Sequence, residues 1–171
     1  IFSNIVLIDE INRAPAKTQS ALFEVMEEYQ VTMDGDKHAL PSPFFVIATQ
    51  NPLYQSGTHP LPESQLDRFF MRISLGFPPQ EAERKLILGQ NNRDYDRLPV
   101  SINEEQLIAI QNKISTVTLS TLVVDYILAL VWATRNNSQF ANALSPRASI
   151  ALGKAAQAWA FIDGRDFVTP D

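Results

Sequence analysis

A strand–helix–strand pattern near the start of the chain constrains the fold more than any other feature. Residues 4–9 (NIVLID) and residues 44–49 (FFVIAT) are short aliphatic and β-branched runs, typical of buried strands. Between them, Pro15 can open a helix that runs through about Glu28. Its apolar residues recur at helical spacing and form one face: Leu22, Val25, Met26 and Tyr29. The pattern predicts an α/β fold in which the second strand is a parallel neighbour of the first.

Local signals predict the remaining elements of this first segment. Asp34 and Gly35 lie between two β-forming runs, which predicts a hairpin within residues 30–41. A proline-rich loop begins at residue 50, and the stretch ESQLDRFF predicts a short helix after it. The stretch MRISL (residues 71–75) is then predicted to form a third strand.

The character of the chain changes at Gly76, Pro78 and Pro79, which predict a stiff linker. No strong strand signal occurs after it, and capping residues indicate four helices. These begin near Gln80, after Asn103, near Thr121 (through Asn136) and after Ser145, with Pro146 at the first position of the last helix and Gly164 at its end. We therefore predict two units: residues 1–77 as part of an α/β core and residues 78–171 as an all-helical domain.

Composition excludes several classes of protein. The chain of 171 residues has a net charge of −5, which does not favour nucleic-acid binding. It has no cysteine, so it has no disulfide and no thiol nucleophile, which fits a cytoplasmic location. The longest apolar stretch contains Asp125, and we predict no membrane span. There is no initiator Met, and Thr169-Pro170-Asp171 has the pattern of a helix start at the very end of the chain, so we interpret the chain as an internal part of a longer protein.

Two adjacent acids, Asp9 and Glu10, come directly after the first predicted strand. In an open α/β sheet the ligand crevice lies beyond the carboxyl ends of the strands. One carboxylate can hold Mg²⁺ through water while the other acts on the water that attacks a phosphoryl group. Alternatively, the acids only end the strand and cap the next segment of the chain.

The second predicted strand also ends in polar residues, Thr49, Gln50 and Asn51. A parallel neighbour would bring them to the same crevice as the two acids. Asn51 could there orient water or contact a γ-phosphate, although Asn51-Pro52 is also an ordinary turn signal.

Two arginines complete the candidate site. Arg68 precedes the third predicted strand and could simply pair with Asp67, Glu63 or Glu10. Arg147 lies in the first turn of a predicted helix, where the helix dipole disfavours a cation. Its position suggests an external anion, or else a solvent-directed side chain without a role.

Five stretches, in this order and spacing, resemble the MoxR family of AAA+ ATPases over essentially the whole chain: IVLIDEINRAP, FFVIATQNP, HPLPESQLDRFF, LSPRAS and DGRDFVTPD. The resemblance implies ATP and Mg²⁺ as cofactors, with Asp9 on Mg²⁺ in a Walker B strand and Glu10 as catalytic base. It also implies that Asn51 is a sensor, that Arg68 is an arginine finger acting on a neighbouring subunit, and that Arg147 is a second sensor on a helical lid. The hairpin resembles an insertion that faces the pore in some relatives.

One family feature is missing. A P-loop has the pattern G-x-x-x-x-G-K-[ST], whereas Gly153-Lys154 is followed by Ala155 and preceded by Ala148 instead of glycine. The family places the P-loop upstream of Ile1, so we expect a partial P-loop NTPase core whose parallel sheet lacks the P-loop strand, followed by a helical lid. We also expect the 171-residue chain alone to be inactive.

For the intact protein the resemblance implies a homo-oligomeric ring, expected to be a hexamer. Such a ring would remodel or help to assemble client proteins, which in this family often carry von Willebrand factor A domains. Two other interpretations stay open. One is a non-hydrolysing interaction module, and the other is a different AAA+ class, such as a chelatase subunit or a transcriptional activator.

Overall fold

The computed structural model describes residues 2–50, 57, 59–90 and 99–170. In chain order the elements are β1 Ile5–Ile8, a 3₁₀ turn Ile11–Arg13, α1 Ala16–Glu28, β2 Gln30–Met33, β3 Asp36–Ala39, β4 Phe45–Ala48, α2 Glu63–Leu66, α3 Gln80–Ile87, α4 Glu104–Ser115, α5 Thr121–Asn136 and α6 Pro146–Ile162.

Strands β1 and β4 pair in parallel, as the strand–helix–strand pattern predicts. The register joins Ile5 to Phe45 at one end and Ile8 to Ala48 at the other. One face of this pair packs near α1, in a cluster centred on the buried residues Ile11, Phe23 and Leu61. Helix α1, which connects the two strands, thus also covers one face of their sheet.

The prediction that both strands are buried is wrong for one face of the pair. The other face of the pair is open, and Leu7 on β1 is 67% exposed. Ile5, Phe45 and Ile47 share this exposed face, because side chains alternate between the two faces of a strand. Among the described residues, α1 and the segment around α2 cover only one side.

The hairpin is confirmed. Strands β2 and β3 pair antiparallel, with Met33 opposite Asp36. The two turn residues, Asp34 and Gly35, have φ angles of 52° and 93°. Positive φ at both central residues matches the right-handed twist of the flanking strands, which is why Asp-Gly favours this turn.

The third predicted strand is not found, since residues 71–79 contain no strand or helix. The alternating apolar residues Met71, Ile73 and Leu75 are exposed, Leu75 by 94%. A strand needs a neighbour to accept and donate its ladder hydrogen bonds. In the described ranges no strand pairs with this segment.

The four helices predicted after the linker are confirmed, and side-chain caps explain the starts of α4, α5 and α6. Asn103 and Gln106 form a capping box with two hydrogen bonds of 2.8 Å at the start of α4. The Ser145 hydroxyl accepts a hydrogen bond from the Ala148 amide at 3.1 Å and caps α6. Each side-chain cap satisfies a backbone amide that has no partner inside the helix.

Helices α5 and α6 share a second core. Val131 of α5 is fully buried, and Ala160 of α6 is nearly so. An isolated β-bridge between Thr118 and Phe167 ties the turn before α5 to the segment after α6. The other members of this core are Val117, Val123, Ile127 and Val168. No helix among the described residues is long and apolar enough to cross a membrane.

Candidate active site

Thr49 joins the two acids at the carboxyl edge of the β1–β4 pair. Its hydroxyl donates a hydrogen bond to Asp9 Oδ1 at 2.5 Å and accepts one from the Glu10 amide at 2.9 Å. Its backbone extends the parallel pairing, because the Thr49 amide donates to the Ile8 carbonyl at 2.9 Å. The expectation that the end of the second strand meets the first strand's acids therefore holds for Thr49.

Glu10 has an unusual backbone. Its φ and ψ are 51° and 50°, in the left-handed region that non-glycine residues seldom adopt. This geometry turns the chain directly after Asp9. The Glu10 carboxylate forms an ion pair with Arg13 at 2.7 Å, and both side chains are partly exposed.

A buried amide side chain fixes the turn after Glu10. Gln19 on α1 is only 4% exposed, and its Nε2 donates to the carbonyls of Ile11 and Ala14, both at 3.1 Å. A buried polar group needs such partners, so Gln19 joins α1 to the turn. Gln19 could not be singled out from the sequence, since a single glutamine among helical residues carries no local signal.

Asn51, the predicted sensor, lies outside the described residues, so its predicted role is not tested. Gln50, which precedes it, is exposed.

Arg68 pairs with Glu27, which was not among its predicted partners. Its Nη1 contacts Glu27 Oε2 and also donates to the Phe23 carbonyl at 2.9 Å. Its Nε is buried without a hydrogen-bond partner among the described residues. The simple alternatives, pairing with Asp67, Glu63 or Glu10, are not what the structure shows.

Arg147 meets the same carboxylate, and its Nη2 contacts Glu27 Oε1. Arg147 therefore has an internal partner in this structure, and its role towards an external anion stays a prediction. Each oxygen of Glu27 thus takes one arginine, one from the α2 region and one from α6. A signal for Glu27 exists in the sequence, since it is an acid in the last turn of a helix, where the dipole disfavours it.

A cleft of about 390 Å³ surrounds these three residues. Lys154 adds a third cation and Asp67 a second acid, so cations outnumber acids by one in a chain of net charge −5. Its apolar lining comes mainly from Met26, Tyr29, Phe69, Phe70, Ile150 and Ala151. The cleft joins α1, α2 and α6 and can accept an anionic group.

The acids fit one kind of metal. No group of three or more His, Cys, Asp or Glu side chains within the described ranges is arranged to hold a metal ion. Mg²⁺ bound to nucleotides commonly uses one or two carboxylates, with water and phosphate oxygens completing its shell. Asp9 fits such an ion, whereas the site does not fit a metal enclosed by protein ligands.

Two family models match the chain at the segments that build this site. The model described as ATPase family associated with various cellular activities (AAA) matches residues 1–71, and the AAA lid domain matches residues 132–171. The Chaperone MoxR1 of Mycobacterium tuberculosis is 40% identical over 99% of this chain. The chain belongs to the MoxR-type AAA+ family. The predicted fold class, a parallel sheet followed by a helical lid, is thereby confirmed.

Other members and neighbours agree with this family. The uncharacterized protein YeaC of Bacillus subtilis is 45% identical over the whole chain, which covers 54% of YeaC and 47% of MoxR1. A crystal structure of a protein assigned as an ATPase from Cytophaga hutchinsonii matches with a TM-score of 0.88 and 40% identity, over 99% of this chain and 55% of that one. The chain thus spans about half the length of the MoxR-type relatives that it matches.

Proposed function

We propose that the chain supplies the water-activating and sensing residues of an ATP-hydrolysing MoxR-type ring. The observation that carries the proposal is the Thr49–Asp9–Glu10 arrangement, in which one hydroxyl binds the Asp9 carboxylate and the Glu10 backbone amide at the carboxyl edge of parallel strands. In this proposal, residues 1–77 belong to the nucleotide-binding core and residues 78–171 form the lid.

Asp9 would hold Mg²⁺, which, when bound, neutralises charge on the phosphate oxygens. Glu10 accepts a proton from the attacking water, as a carboxylate that follows the Mg²⁺-binding acid directly in sequence. Arg13 is close enough to orient the Glu10 carboxylate through their ion pair. Asn51 orients the water or the γ-phosphate, and Arg68 and Arg147 supply positive charge to the transition state.

The intact protein would act as a homo-oligomeric ring, which we expect to be a hexamer located in the cytoplasm. Support for client proteins comes from the name of the relative MoxR1, a chaperone. We propose that clients or adaptors, including proteins with von Willebrand factor A domains, are remodelled or assembled in steps driven by ATP hydrolysis.

Glu10→Gln in the intact protein tests the proposal. The variant should bind ATP as the unmodified protein does and lose at least about a hundredfold in turnover, because the water loses its base. Glu24→Gln is the matched control, since it makes the same chemical change at an exposed position of α1. Normal turnover in Glu10→Gln would disprove the proposed role of Glu10.

A further inference from the structure

Glu27 and Arg147 both oppose the dipole of their own helix. Glu27 lies in the last turn of α1, where the exposed carbonyls disfavour an acid. Arg147 is the second residue of α6, where the exposed amides disfavour a cation. Neither charge helps its own helix, and the two residues contact each other across 120 positions of sequence.

Glu27 also holds Arg68, so one carboxylate fixes two guanidinium groups. Without a shared carboxylate, two neighbouring arginine side chains would repel each other and occupy many rotamers. Because one Glu27 oxygen contacts each guanidinium group, the two positive charges stay together at the cleft. Lys154 increases the positive charge there. Arg68 comes from the core side of the chain and Arg147 from the helical side, so Glu27 also joins the two sides.

We propose that Glu27 is a positioning residue that holds Arg68 and Arg147 as one unit and so couples lid position to ATP turnover. This inference rests on the proposed function, because it requires that both arginines act on the phosphate of a bound nucleotide. Glu27 itself touches no substrate. It holds two guanidinium groups close together, so that both can stabilise the same transition state. This role explains why α1 and α6 each have an unfavourable charge at one end.

The first experiment compares Glu27→Gln with the control Glu24→Gln in the intact protein. Glu27→Gln should lower kcat at least about tenfold, because two charge-assisted contacts are lost, and should leave KM for ATP within about twofold. Glu24→Gln should change neither constant. An unchanged kcat in Glu27→Gln, or a change confined to KM, would overturn the proposal.

The second experiment reads lid position without ATP. The chain has no cysteine, so spin labels can be placed specifically at Lys17→Cys on α1 and Ile162→Cys on α6, both exposed. Glu27→Gln and Arg147→Gln should each broaden the distance distribution, and the double variant should broaden it no further. A distribution that stays narrow in Glu27→Gln would overturn the inference even if Glu10 proves to be the catalytic base.

A charge swap separates positioning from mere structural support. Glu27→Arg with Arg147→Glu keeps one ion pair between α1 and α6 but leaves Arg68 facing a cation at position 27. The swapped protein should therefore have a narrower label distance than Glu27→Gln, yet turnover should stay low because residue 147 is no longer a cation and Arg68 has lost its carboxylate. Turnover restored by the swap would show that the contact is only structural.

Discussion

The Thr49 hydroxyl donates a hydrogen bond to the Asp9 carboxylate, 40 positions away in sequence, at the edge where β1 and β4 end side by side. The contact exists because Ile8 and Ala48 are paired at the ends of the two parallel strands, so the next residues, Asp9 and Thr49, lie side by side. It makes the geometry of the two acids depend on a neutral residue of the neighbouring strand.

Thr49→Val should therefore impair turnover without unfolding the protein. It removes the donor to Asp9 and the acceptor for the Glu10 amide while retaining the β-branched shape. We expect kcat in the intact protein to fall about ten- to a hundredfold, with a higher Mg²⁺ requirement, because a hydrogen bond to a charged group is lost. Thr49→Ser keeps the hydroxyl and should stay within about threefold of normal. Equal loss in both variants would contradict the role of the hydroxyl.

Arg68 should act on a neighbouring subunit. An arginine supplied in trans is worth about a thousandfold or more in rate in related nucleotide hydrolases. Rings mixed from Arg68→Ala and Glu10→Gln subunits should regain part of their activity wherever an intact Arg68 meets an intact Glu10. If confirmed mixed rings show no recovery at any ratio, action in trans is refuted.

The second core should depend on Val131. Val131 is fully buried, so Val131→Ala leaves a cavity and should lower the free energy of unfolding by about 2–3 kcal/mol. Val124→Ala, on the same helix but 37% exposed, should cost less than about 1 kcal/mol. Urea unfolding followed by fluorescence measures this core selectively, because both tryptophans, Trp132 and Trp159, lie on its helices. Equal losses in the two variants would contradict the assignment of Val131 to the core.

The 171-residue chain by itself should associate and bind ATP weakly. Its open sheet face, Ile5, Leu7, Phe45 and Ile47, favours pairing with another chain. Micromolar nucleotide affinity needs about 8 kcal/mol, much of it from backbone amides around the phosphates. In this chain Asp9 and Arg147 would supply a metal ligand and a charge, but no P-loop motif is present to supply those amides.

Light scattering should show oligomers of this chain, and Leu7→Lys should shift them towards monomer. Calorimetry with ATP and Mg²⁺ should show no tight binding. A monomer of verified mass that binds ATP stoichiometrically would mean that the nucleotide site has been placed wrongly.

The elements that the sequence predicts correctly are those with local causes. Asp34-Gly35 specifies its turn through two backbone angles, and Asn103 and Ser145 start helices with amides three positions away. Residues 71–75 failed as a strand because pairing depends on a distant neighbour, which the local pattern of apolar residues does not specify.

The same distinction holds at the site. Asp9 and Glu10 could be singled out because acids at a strand end are a local pattern. Glu27 could not, because its partners Arg68 and Arg147 lie 41 and 120 positions away. Its only local sign was an acid at the wrong end of a helix, which is informative once a partner is known.

The left-handed backbone at Glu10 means that the residue proposed for activity is not the residue that would make the protein most stable at this position. A side chain in this conformation costs about 1 kcal/mol relative to glycine, which adopts it freely. Laboratory evolution for heat resistance alone would therefore be expected to replace Glu10 by glycine early, and, by the role proposed for Glu10, to deliver a more stable protein that no longer hydrolyses ATP. Any stabilisation campaign on this family should hold that residue constant and look for its gains elsewhere.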